Sequence, residues 1–135
     1  MQVKLFLLAD FANRDAAGKE NILGVFSRIN SPSFPYTHEA MYLVIRLVAE
    51  LGEMADKRRL RVVFCDEDGA ELANMEADFE VPLSEQGIRP EMSFILILRE
   101  LELTKPGSYE FRLYIEKDQK ATLPLEVRPI HEQRP

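Results

Sequence analysis

Two histidines, His38 and His131, one cysteine, Cys65, and the acidic run Asp66-Glu67-Asp68-Gly69 are the residues of this chain best suited to chemistry. A zinc site or a catalytic triad needs an imidazole held by structure beside a carboxylate or thiolate. His38 lies in a proline-rich loop and His131 in the polar tail; both read as surface residues. Cys65 stands between Phe64 and Asp66 on an expected strand with no local base, so it reads as a small, inert, buried residue. A single cysteine excludes an intrachain disulfide. Neither a Gly-x-Ser-x-Gly elbow nor a glycine-rich phosphate loop occurs.

Asp66 and Asp68 are the metal candidates, because oxygen ligands suit a hard cation. Their acids are adjacent instead of alternating over a long loop, and Asp68-Gly69 supplies the left-handed backbone of a tight hairpin turn. The turn explains these residues without an ion, and no cofactor is expected.

Three groups could bind without catalysing. In Lys57-Arg58-Arg59-Leu60-Arg61, Arg59 and Arg61 share one face of a strand, and the cluster could touch phosphate or an acidic partner; a solvated face that discourages edge pairing is the plainer reading. Phe34-Pro35-Tyr36 could stack on a sugar or a partner, although Phe34 reads first as a plug in one end of the fold. Asp10, beside the loop Asn13–Glu20, is expected to accept loop amide hydrogen bonds, a functional role coming second. The net charge of −6 argues against nucleic acid and against anionic membranes.

The elements that would position these groups are strands. Tyr109, Phe111, Leu113 and Ile115 alternate with polar residues, as do Ala121, Leu123, Leu125 and Val127 after a short turn. Period two over adjacent runs predicts a hairpin with one wet face. Pro124 lacks a ladder donor, so the last strand should be an edge or carry a bulge. Leu60, Val62 and Phe64, then Ala73, Met75, Ala77, Phe79 and Val81, predict a second hairpin around Asp68-Gly69. Met41–Ala49 and Ser93–Leu103 are nearly continuous apolar runs and read as central strands. Val3–Ala9 and Ile22–Ile29 complete the set, while Ser31–His38 and Pro82–Glu91 read as irregular loops. The expected fold is all-β: a single-domain antiparallel β-sandwich of about eight strands, Ig-like or jelly-roll-like. It should occupy 1–129, with 130–135 a flexible tail. No apolar run is long enough to span a bilayer as a helix, and no signal peptide is recognisable, so a cytoplasmic location is expected.

Ala9-Asp10-Phe11-Ala12, the stretch Gly18-Lys19-Glu20-Asn21-Ile22-Leu23-Gly24-Val25-Phe26, the Asp68-Gly69 hairpin and the closing Pro106-Gly107-Ser108-Tyr109-Glu110-Phe111 together carry a resemblance. The chain resembles, from about Val3 to Val127, an uncharacterised bacterial family of small β-sandwich proteins, a domain of unknown function. That resemblance implies a small sandwich of bacterial origin and brings no activity, ligand or catalytic residue with it.

The function expected from these readings is non-enzymatic: a protein-interaction or scaffold module, with a protein partner or a homo-oligomer. The alternative is a small-ligand or carbohydrate-binding sandwich, which would require at least two of the loops Asn13–Glu20, Ser31–His38 and Pro82–Glu91 to gather around an aromatic-lined cavity. An enzyme would require Asp10, His38 and a further carboxylate to converge.

Overall fold

Alternating apolar residues bury one face of each strand, and two such sheets must close on one another. The computed structural model, which describes residues 1–130, shows that outcome. Its strands are β1 (Gln2–Arg14), β2 (Glu20–Phe26), β3 (Arg28–Ser31), β4 (Tyr36–Val48), β5 (Lys57–Cys65), β6 (Glu71–Glu80), β7 (Glu91–Leu103), β8 (Gly107–Ile115) and β9 (Asp118–Pro129). They form a four-stranded sheet ordered β2-β1-β4-β7 and a five-stranded sheet ordered β3-β9-β8-β5-β6. The core between them is built from Leu8, Met41, Leu43, Ile45 and Leu47 on one side and Leu60, Phe64, Phe111, Leu113 and Leu125 on the other. Phe64 stacks on Tyr109 at 5.4 Å and tilts against Phe111 at 4.5 Å. Cys65 is buried, and that burial pushes its thiol pKa up.

Both expected hairpins form. Pro124 faces Glu110 of β8, and the pairing of β9 with β3 begins only at Glu126. The missing N–H therefore falls where β9 is still an edge. Four features depart from the sequence reading. The expected strand Ile22–Ile29 is two strands: the chain leaves the four-stranded sheet at Phe26 and enters the other at Arg28, which makes nine strands instead of eight. The β3–β9 pair is parallel, so the second sheet is mixed. β4 begins at Tyr36, which shortens the irregular loop before it. Finally, β7 is not central: among the described residues it pairs with β4 alone and forms an edge. Its continuous apolar run arises because one face meets the core while the other is left partly open.

Register fixes the ends of the sandwich. Glu91 lies opposite Val48 and Leu103 opposite Tyr36. Ser31–His38 is therefore at one end and Pro82–Glu91 at the other. Ile130 donates its amide to the Ser31 carbonyl at 2.9 Å; the rest of the expected tail, with His131, lies outside the described residues. Among the described residues no helix is long and apolar enough to cross a membrane.

Candidate functional site

The least ordinary construction lies on the outer side of the four-stranded sheet. Leu5, Arg46 and Ser93 stand in one row across β1, β4 and β7; Leu7, Val44 and Ile95 form the next; Ala9, Tyr42 and Ile97 the third. Their neighbours Leu43, Ile45 and Leu47 point into the core, so by strand alternation these rows face outward. Arg14 is nine residues beyond Leu5, about 30 Å along a straight strand. Yet its Nε donates to Ser93 Oγ at 2.9 Å, and its guanidinium also reaches the Ser93 carbonyl. The distal part of the β1–β2 hairpin must therefore double back over the sheet. Val44, Ala9 and Ala12 are buried yet stand outside the core between the sheets, as expected of side chains covered by this arm.

The bend is written in two residues. Gly24, facing Asp10 across the hairpin, has φ +69°, and a Cβ there would collide with the Asp10 carboxylate. The positive φ favours glycine, and any Cβ there would also force the exposed Asp10 side chain to turn aside. Asp10 itself is exposed and makes no hydrogen bond to a loop amide among the described residues. That role falls to Asp15, whose Oδ1 accepts from the amides of Ala17 at 2.9 Å and Lys19 at 3.0 Å.

A charged latch holds the tip of the arm. Arg46 pairs with Glu20 at the base of the hairpin loop and with Glu91 at 2.9 Å, and Lys4 adds a second bond to Glu91 at 2.6 Å. The Glu20 side chain is only 6% exposed. Burial pushes its carboxyl up, but the Ser93 hydroxyl and Arg46 beside it outweigh that and hold it below its ordinary value. Its Oε1 has no hydrogen-bond partner among the described residues. Lys4 and Arg46 hold Glu91 low as well. Sequence reading missed this cluster, although Arg46 is the one charge inside the apolar run Met41–Ala49, a signal that something must neutralise it.

Beyond the arm, apolar side chains stay open. Phe11 (42% exposed) lies opposite Leu23 (64%), and Val25 (62%) continues the row that runs through Ala9 and Tyr42 to Ile97 (44%). The rings of Phe11 and Tyr42 are 5.2 Å apart.

The residues singled out from sequence do not assemble into one site. Phe34 and Tyr36 are half-buried against the core, and the Tyr36 hydroxyl shares a 2.9 Å hydrogen bond with His38 Nδ1. No hydrogen bond joins His38 to Asp10 among the described residues. Arg59 and Arg61 do share the outer face of the five-stranded sheet, where Arg59 pairs with Asp78 at 2.8 Å and Arg61 lies 4.6 Å over the Tyr114 ring. A depression of about 520 Å³ beside them is lined mainly by charged side chains, among them Lys57, Arg58, Asp78 and Glu116. Asp66 Oδ1 accepts the turn amides of Asp68 at 3.0 Å and Ala70 at 2.9 Å, and Asp68 points toward Lys105. Among the described residues no three histidines, cysteines or acids are grouped to hold a metal. Of the three loops weighed for a ligand site, Asn13–Glu20 approaches β7 near Pro82–Glu91, and Ser31–His38 lies at the opposite end.

Residues 4–128 match the model of a family described as "Family of unknown function (DUF6941)". The chain belongs to that family. No curated protein matches it. Among solved structures, "The structure of a beta-glucuronidase from glycoside hydrolase family 2" is similar at 16% identity and a TM-score of 0.40, over 68% of this chain and 11% of that one. The chain thus spans a small part of that enzyme, and so distant a likeness carries no activity across.

Proposed function

We propose that this chain is a cytoplasmic, non-enzymatic protein-interaction module whose recognition surface is the four-stranded sheet, including β7, one of its two edge strands. One observation carries the reading: Phe11, Leu23, Val25 and Ile97 are 42–64% exposed on one sheet, and the half-buried Tyr42, its ring 5.2 Å from that of Phe11 and its position opposite Ile97, links them. Single exposed apolar residues are ordinary, whereas a connected set on one sheet marks a contact surface. The net charge of −6 favours a protein over a nucleic acid as the partner. A lone buried cysteine suits a reducing compartment.

Site-specific photo-crosslinking in cells tests this. A photoreactive residue at position 23, 25 or 97 should give discrete cross-linked products, while one at position 61 or 122, on the charged sheet, should give few. Equal, diffuse labelling from both sheets, or no products from either, would overturn the proposal.

A further inference from the structure

Resting on that reading, we infer that the partner at the open edge is a second copy of this chain, paired antiparallel through β7 about a twofold axis at Ile95. β7 runs for 13 residues and among the described residues bonds only to β4, so no described strand lies beside its outer row of N–H and C=O groups. From Met92 to Leu98 it holds neither charge nor proline, the two devices that normally blunt an edge. The usable stretch ends at Arg99, because Glu100 adopts φ +55° and the pairing with β4 skips Glu39 at that point. One edge of the other sheet, β6, is different. β6 carries Glu71, Glu76, Asp78 and Glu80, which discourages the same pairing there.

The stretch is complementary to itself. With the axis at Ile95, Met92 meets Leu98, Phe94 meets Leu96, Ser93 meets Ile97, and at each end Glu91 meets Arg99. Opposed residues share a face, so Met92, Phe94, Leu96 and Leu98, which lie on the core side, would carry the core across the junction. Ile97 would carry the outer apolar row. Sliding the register by one notch in one direction opposes Arg89 to Arg99; in the other it opposes Met92 to Glu100. The first alternative is disfavoured by like charge, and the second by setting an acid against an apolar side chain where the strand geometry already ends. Arg99 is exposed and has no ion pair among the described residues, and the Glu91 side chain is 36% exposed despite its bonds to Lys4 and Arg46. The Arg14 bond to the Ser93 carbonyl leaves that oxygen a second lone pair for a ladder bond.

The test is a charge exchange, read by sedimentation velocity on the purified full chain. Wild type should show a concentration-dependent dimer. Arg99→Glu alone places two acids face to face at both ends, and Glu91→Lys alone places two cations there, so each should dimerise about tenfold more weakly. Mixed in equal amounts, the two variants restore opposite charges at both ends and should dimerise as well as wild type. Ile95→Cys should then cross-link to its own copy under mild oxidation, with Cys65 buried and out of reach. Thermal melts of each variant confirm that it is folded. A monomeric wild type at every concentration would overturn the homodimer while leaving the cross-linking test of the wider interaction reading intact. A dimer indifferent to both substitutions, or a mixture that does not recover, would overturn this register.

Discussion

On the outer face of the five-stranded sheet the side chains answer one another: Arg59 with Asp78, Arg61 with the Tyr114 ring, Arg112 with Glu110 at 2.6 Å, and Arg128 with Glu126 at 2.6 Å. On the four-stranded sheet the equivalent positions hold Leu7, Val44, Tyr42, Ile95 and Ile97, and the charges there gather at one end, where Arg46 pairs with Glu20 and Glu91. The first face is complete in water. The second has to be covered, and the chain covers part of it with its own β1–β2 arm. The difference shows how two sheets of one sandwich diverge: an antiparallel sheet tolerates water on one face only when that face is polar. The remaining apolar area and the β7 edge are where the proposed partner would dock.

Substitutions that break this contrast should differ in size. The largest effect is expected at Val44, which is fully buried on the outer side: Val44→Asp leaves a carboxylate unpaired under the arm and should cost about 3–5 kcal/mol. Thr122→Asp, at an exposed position on the charged sheet opposite Arg112, should leave the melting temperature unchanged. Equal losses in chemical denaturation would contradict the contrast. Gly24→Ala comes next, at about 2 kcal/mol, from the positive φ and the collision with Asp10. In the Asp10→Ala background part of that loss should return.

The latch follows. Arg46→Met strands the buried Glu20 and should cost about 1–2 kcal/mol, reduced from a fully buried pair because Arg46 is 27% exposed. Arg59→Met breaks only exposed pairs, and calorimetry should find its melting temperature unaltered. The smallest effect is in pH. Glu20 and Glu91 titrate below the ordinary Glu value of 4.5, so their stabilisation is present above it and is lost as pH falls through their lowered values. Melting curves taken between about pH 5 and pH 3 should fall more steeply for wild type than for Glu20→Gln.

The hairpins β5–β6 and β8–β9 were legible in the sequence because alternation is a local signal. Phe111 and Leu113 announce their face within a few residues. The bend at Asp10 and Gly24 was not legible, since a glycine within a strand signals a bulge without giving its direction. The switch of sheets at Ser27 is likewise a tertiary event within one apolar run. β7 read as central because an apolar residue looks the same whether a strand, an arm or another molecule covers it. The family resemblance was readable from its motifs, and the match over residues 4–128 shows a family of unknown function. The latch escaped because its members come from four strands, Arg14 and Ser93 lying 79 residues apart. Only Arg46, alone among Leu43, Val44, Ile45 and Leu47, pointed to it.

Hydrogen exchange read by mass spectrometry, on dilute and concentrated samples of the same protein, bears most directly on the role of the four-stranded sheet. The amides of β7 between Ser93 and Arg99 should exchange more slowly as concentration rises, with those of the β6 edge unchanged. Protection that appears on β6 instead, or on neither edge, would contradict the assignment.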